Sequence, residues 1–373
     1  MGFERFHRDT FINYQLNRAH ALGFADQREL GDAARQVHSF DEAAGVFTAL
    51  AERAESAGRL RNATSYLRVA EFFTPKRSGA GIPVYRRYRD LFDRAFADGG
   101  AVRHDVAYGG ATIPAYRLPA TGTTRGTVLL HGGFDSLIEE FYAIWERIAE
   151  SGFDVIAYEG PGQGGARALG GLTFDHDWEK PVAAVLDHFA IDRAAIVGMS
   201  MGGYWALRAA SREPRIDRVV SWPPVYDWLY QLPRPVRAAA RRMFRFRGFM
   251  NWSIRVRARL FPVLRHAVNH TLYLVDREEP MAVADWFLGM NVEHLGSDRV
   301  VQDVLLCCGA NDSFQPPALT RYQAAALTSA RSVRVRTFTA AEHAAEHCQM
   351  GNLDLACRVV TAWLRDGRLP DAC

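Results

Sequence analysis

Residues Ile196-Val197-Gly198-Met199-Ser200-Met201-Gly202-Gly203 constrain the fold of this chain more than any other stretch. An apolar strand ends in G-x-S-x-G and runs at once into a helix-forming segment, Tyr204 to Ala210. A strand that turns sharply into a helix brings backbones too close for larger side chains, which is why glycine stands two positions before and two after the serine. The bend holds Ser200 up at the turn.

A chain of 373 residues, 48% hydrophobic and 23% charged, can bury a large core around such a bend. It predicts a soluble globular protein of one big domain with an appendage, or of two domains. The charged start from Met1 to Asp9 has no apolar segment of signal-peptide length, and no run reaches membrane-spanning length, so a cytoplasmic location is expected. Five cysteines, Cys307, Cys308, Cys348, Cys357 and Cys373, lie late in the chain without C-x-x-C spacing. They suggest neither a disulfide framework nor a zinc site, and neither metal nor cofactor is expected.

The formal net charge of +3 is too small to imply nucleic acid, but it is unevenly spread. Ten arginines and no acid fall between Trp228 and Val275, interleaved with aromatic residues from Arg237 to Leu260. A solvated helix face accounts for this, and so would a surface for nucleic acid or membrane; neither of those partners is expected.

Residues 1–100 carry helical periodicity, as in Ser39 to Ala57, where Asp41 and Glu42 follow an expected Ser39 cap. From Ala101 short β-rich runs take over: Val102 to Tyr108, Thr112 to Leu118, Thr127 to His131, Val155 to Tyr158, Ala194 to Val197, Arg218 to Trp222, Val304 to Cys308 and Val333 to Phe338. From the third run onward they mostly alternate with helical segments: Leu137 to Glu150, Trp178 to Phe189, Met201 to Ala210, Ala318 to Thr328 and Asn352 to Arg365. The class is therefore α/β, an eight-stranded mostly parallel sheet covered on both faces. Residues 223–297 hold no strand signal and read as a helical cap inserted after the sixth strand, leaving 101–222 and 298–373 as the two parts of the sheet domain.

A serine hydroxyl is a poor nucleophile at neutral pH and needs a base, itself oriented by a carboxylate. Asp312 follows the strand Val304 to Cys308; it is placed as the acid, or as a cap for the helix starting near Pro316. After the last strand, His343 and His347 stand four residues apart, and one of them is the candidate base. Donors for an oxyanion are expected from the backbone of Met201 and from Phe134 or Gly133 in the loop that follows His131. His131 itself, the glycine loop Glu159 to Gly165, and the strand residues Cys307 and Cys308 read as structural. Tyr226, Asp227 and Trp228, leaving the sixth strand, are candidates for lining a pocket, and a turn role serves Asp227 equally.

With His131-Gly132-Gly133, Glu159-Gly160-Pro161-Gly162-Gln163-Gly164, Gly198 to Gly202, Asp312 and the terminal His loop, residues 101–366 resemble the α/β-hydrolase superfamily. Gly132 to Ser136 running into Glu139-Glu140, Glu346-His347-Cys348-Gln349, and Tyr66 to Phe73 are similar to the subgroup of 2,6-dihydroxypseudooxynicotine hydrolase, the fungal heptaketide hydrolase and the fermentation-respiration switch protein. The resemblance implies His347 as the base. It also implies hydrolysis of a carbon–carbon bond in a β-dicarbonyl or aryl ketone, often in polyketide or other secondary metabolism; His343 departs from the small residue expected there. An ester substrate, a lyase or cyclase on the same scaffold, such as one eliminating acetate, and a non-catalytic binding protein are the rival expectations. A small-molecule substrate, anionic or carrier-bound, and a homodimer complete them.

Overall fold

The computed structural model describes residues 2–369, so Cys373 lies outside the described residues. The chain divides into two units: one comprises its first residues, Ala101–Arg234 and Phe287 onward, and the other Glu4–Gly100 and Pro235–Trp286.

The first unit is built on eight strands: β1 (Val102–Tyr108), β2 (Ala111–Leu118), β3 (Thr127–His131), β4 (Asp154–Tyr158), β5 (Ala194–Met199), β6 (Ile216–Trp222), β7 (Asp303–Gly309) and β8 (Ser332–Phe338). They form a sheet in the order β1-β2-β4-β3-β5-β6-β7-β8. β1 and β2 pair antiparallel, as do β2 and β4, and every later pairing is parallel. A parallel sheet needs cover on both faces, and the central strands show it: Val128, Leu129 and Leu130 of β3 and Ile196 and Val197 of β5 are fully buried. At the edge, β8 exposes Arg334, Val335 and Thr337, and its charge discourages further strand pairing.

The chain leaves β3 for β4 on one side and returns to β5 on the other. That reversal opens a crevice beyond the carboxyl ends of β3 and β5, where open α/β sheets bind ligands. Differences from the sequence reading are confined to element ends. β5 runs two residues past Val197 because Met199 still pairs with Trp222 of β6. The segment from Leu137 opens as a 3-10 turn, Ile138–Phe141, before the helix Tyr142–Glu150. The segment 223–297 holds no strand; Trp228–Gln231 is a 3-10 turn, followed by the helices Arg234–Met243, Arg247–Leu260, Pro262–Val275, Met281–Gly289 and Val292–Leu295.

The helical unit follows local rules. Asp9 accepts from the N–H groups of Phe11 and Ile12 at 2.9 and 3.0 Å to start the helix Thr10–Ala21, and Asp26 does the same at Gln27–Ala34. The expected cap at Ser39 does not form. The Glu42 carboxylate instead accepts from the His38 N–H at 3.0 Å, and Phe40–Glu42 is a 3-10 turn leading into Ala43–Ser56. An aromatic cluster fastens the inserted helix Pro262–Val275 to the leading helices: His266 lies 5.1 Å from both the Phe40 and Phe72 rings. No helix among the described residues is long and apolar enough to cross a membrane.

Candidate active site

Ser200 ends β5 in the left-handed region, φ +56°, a conformation costly for a residue with a Cβ. Its neighbours hold it there: the Ser200 N–H donates to the Trp222 carbonyl of β6 at 2.6 Å. The flanking glycines are sterically required. A Cβ on Gly198 would stand 2.1 Å from the Gly202 carbonyl oxygen, and one on Gly203 would stand 2.1 Å from that of Pro223. The helix Gly202–Ala210 then leads away from the crevice.

The His347 ring joins two of the predicted side chains into one line. Its Nε2 lies 2.8 Å from Ser200 Oγ, and its Nδ1 lies 2.7 Å from Asp312 Oδ2. All three residues come from loops at carboxyl ends of strands, β5, β7 and β8. Asp312 does not cap the helix Pro317–Ala326, whose N-cap is Pro316 without a side-chain bond; its other oxygen instead accepts from the Phe314 and Gln315 N–H groups at 2.9 and 2.8 Å, closing the turn ahead of that helix. Burial by itself would push His347 down, yet the charge of Asp312 and its hydrogen bond hold the imidazole well above its ordinary range. Cys348 and Gln349, the next two residues, are both left-handed, and this sharp bend turns the His347 ring inward from the loop. His343, the alternative base, is exposed at φ +56° as the left-handed end of the turn Ala340–Glu342, and Ser200 Oγ meets His347.

The loop after β3 lies against Ser200 so closely that a Cβ on Gly133 would meet Ser200 Cβ at 2.8 Å and Met201 N at 2.9 Å. Gly133, one of the two donors offered by the sequence reading, has its N–H donating to Ser136 Oγ at 3.0 Å. Of that pair Phe134 is left as the candidate.

Two glutamines given no role in the sequence analysis shape this region, although Gln163 lies in the Glu159 to Gly164 motif. Gln163 Nε2 donates to the carbonyls of Gly132 and Gly133 at 2.9 and 2.7 Å. Gln315, with its amide nitrogen donating to Pro223 O at 3.1 Å, sets its oxygen 3.2 Å from Met201 N, so this donor is engaged by Gln315.

Asp227 is buried with Oδ1 accepting from the Leu229 N–H at 2.8 Å, which is the turn role. Tyr226 packs with Tyr230 and Tyr322. Trp228 stacks on Phe287 at 4.1 Å, and the Phe287 ring continues to Phe134 and from there to Phe174, each step 5.8 Å. This aromatic row runs to the oxyanion-loop residue, while Phe314 lies 5.1 Å from the His347 ring. His131 is buried against the Gly132 carbonyl, and desolvation pushes it down to about 3, so it stays neutral. Cys307 and Cys308 are buried in β7.

Residues 128–267 match the α/β hydrolase fold family. The fold is that of the α/β hydrolases. In this chain, 266 residues are 31% identical to hydrolase acrC of Aspergillus aculeatus, 61% of each chain, and 137 residues are 32% identical to 2,6-dihydropseudooxynicotine hydrolase of Paenarthrobacter nicotinovorans, 35% of this chain and 37% of that one. The match thus spans about three-fifths or less of these curated relatives. The crystal structure of the 2,6-dihydroxy-pseudo-oxynicotine hydrolase shares the α/β-hydrolase fold with a TM-score of 0.66 at 18% identity, over 94% of this chain and 95% of that one.

Proposed function

We propose that this chain of α/β-hydrolase fold is a serine enzyme that cleaves an acyl group from an apolar carbonyl compound, through a carbon–carbon bond of a β-dicarbonyl or aryl ketone, or an ester. The observation that carries the reading is the unbroken line Asp312–His347–Ser200, with contacts of 2.7 and 2.8 Å. His347 Nε2 takes the Ser200 proton as Oγ bonds to the carbonyl carbon. The oxyanion accepts from the backbone N–H groups of Met201 and Phe134, displacing the Gln315 oxygen from the first.

Collapse breaks the bond to the leaving group, whose electron pair is delocalised onto an adjacent carbonyl or phenol and protonated by His347. Water, deprotonated by the same ring, then cleaves the acyl-serine and releases the acid. The row Trp228, Phe287, Phe134 and Phe174 supports an apolar or aromatic substrate. A place in polyketide or other secondary metabolism rests on the resemblance to the relatives named above.

Labelling with a fluorophosphonate, followed by mass spectrometry, tests the nucleophile: one adduct on Ser200 is expected, and none on Ser200→Ala. Turnover of aryl esters, β-diketones and acetylated polyketide-like compounds tests the substrate class. Products whose masses sum to the substrate plus one water support hydrolysis, whereas products whose masses sum to the substrate alone identify a lyase or cyclase. An unlabelled Ser200 would leave only a binding role.

A further inference from the structure

The helical unit contains an open cavity of about 510 Å³ whose lining joins Arg77, Arg255, Arg259 and Arg265 to the buried apolar residues Val268 and Leu272. A smaller cavity of about 80 Å³ shares Arg77 and Arg265 with it and continues past Lys76. The charge balance is lopsided. Glu278 is the acid in the larger lining; it stands 4.0 Å from Arg77, and its side chain is 95% exposed. Arg265 is engaged by Asp41 at 2.6 Å, and Arg77 donates to the Arg277 carbonyl at 2.9 Å.

Arg255 and Arg259 differ: neither forms an ion pair among the described residues. The neighbouring acid, Glu279, is held by Arg247 at 2.9 Å and by Asn251 at 2.5 Å, and Arg255 reaches it only through the longer-range attraction that helps keep its carboxyl below the usual range. Arg255 and Arg259 stand four residues apart on the helix Arg247–Leu260, so they share a face and repel each other. An anion between them converts that repulsion into attraction on both sides. Guanidinium groups suit phosphate in particular, because their N–H donors match its oxygens in pairs. The half-buried Ile254 and Ala258, over buried Val268 and Leu272, add an apolar wall that gains from an apolar chain, and the volume is in the range of small-molecule sites.

We propose that this groove binds a phosphate ester carried on an apolar chain. The phosphate lies between Arg255 and Arg259, and the chain lies on Ile254 and Ala258. The site belongs to the helical unit alone and does not depend on the reading of Ser200.

The test is isothermal titration of the whole protein with octyl phosphate below its micellar range, beside octanol and inorganic phosphate. Octyl phosphate is expected to bind at least about tenfold more tightly than either control, since each lacks half of the recognition. Arg255→Ser/Arg259→Ser, with an unchanged melting temperature, is expected to lose about tenfold or more, while Arg241→Ser/Arg242→Ser outside the groove keeps wild-type affinity. Absence of octyl phosphate binding, equal binding of octanol, equal binding of inorganic phosphate, or binding that survives Arg255→Ser/Arg259→Ser each overturns the proposal. Loss of binding in Arg241→Ser/Arg242→Ser as severe as in the groove variant also overturns it, because the effect would then be net charge rather than a site.

Discussion

Gln163 holds Gly133 from behind: its Nε2 donates to the Gly133 carbonyl at 2.7 Å and to that of Gly132 at 2.9 Å, while its Oε1 accepts from the Gly160 N–H at 2.8 Å. One buried amide therefore ties the loop after β3 to the loop after β4. The same contact fixes the carbonyl that precedes the Phe134 backbone N–H, one of the two donors of the proposed oxyanion site.

Replacing Gln163 with alanine should loosen that loop and leave the Gly133 carbonyl without its donor, while the Gly132 carbonyl keeps only His131 Nδ1 at 3.2 Å. A fall in kcat of about 10- to 100-fold is expected, with KM changed far less, because the loss falls on the transition state. Gln163→Glu should be worse, since a carboxylate would face two carbonyl oxygens. Steady-state kinetics on the best ester found in the screen would check both, and the fluorophosphonate adduct on Ser200 would confirm that the nucleophile is still in place.

The raised His347 gives a pH signature. As a base the ring must be neutral, so kcat/KM should rise with pH along a limb whose midpoint lies above 6.5. Asp312→Asn removes the charge that raises it, so the limb should move to lower pH while kcat falls by about 10³- to 10⁴-fold. For stability, the folded value lies above the unfolded one, so this pair stabilises fully below about 6.5 and the contribution is lost as pH rises through the folded value. A rate profile from pH 5 to 10 and melting curves over the same range would read the two effects separately.

Ser200, Asp312 and His347 were legible because each follows a strand whose β-rich run is visible in the sequence, and because the serine bend needs glycines that sequence shows directly. The central strands β3 to β7 were legible for a related reason: buried parallel strands carry apolar runs, and only their last residues depend on partners such as Trp222 opposite Met199, whereas β1, β2 and β8 showed through their β-rich composition. Gln163 and Gln315 were not legible. Their roles come from carbonyls and N–H groups that sit far away in the chain, and glutamine in a loop has no spacing rule. The placing of Arg255 and Arg259 in one groove with Arg77 was hidden likewise, since it depends on the inserted helices packing with the leading ones within a single unit. The choice between Phe134 and Gly133 as donor was not legible either, because the Ser136 hydroxyl that takes the Gly133 N–H is visible in sequence but its rotamer is not.

Glu159 and Glu139 form a buried acidic pair beneath the loop after β3. Burial, and then the charge of Glu139, pushes Glu159 up to about 8, although the backbone N–H groups of Gly165 and Ile138 favour its charged form. The folded value exceeds the ordinary 4.5, so stability is fully present below about 4.5 and is lost as pH rises through 8. Glu139→Gln keeps an acceptor for the Tyr116 hydroxyl, which donates to Oε1 at 3.0 Å, and removes the repelling charge. The melting temperature of the wild type should therefore fall more between pH 5 and 9 than that of Glu139→Gln; equal falls would show that the pair does not titrate in this range.

Two glycine substitutions should move stability in opposite directions. At Gly198 an added Cβ stands 2.1 Å from the Gly202 carbonyl oxygen and 2.5 Å from its carbon, backbone atoms that can shift only by opening the bend that carries Ser200. Gly198→Ala should cost about 3 kcal/mol or more and abolish turnover together with fluorophosphonate labelling. Gly45 sits inside the helix Ala43–Ser56 with nothing within 4 Å of an added Cβ. Gly45→Ala should stabilise the protein by about 0.5–1 kcal/mol, because alanine lowers the entropy of the unfolded chain without meeting a neighbour, and it should leave kcat unchanged. Chemical denaturation of both variants, each at unchanged m-value, measures these differences, and a stable, labelled Gly198→Ala would refute the steric account of the bend.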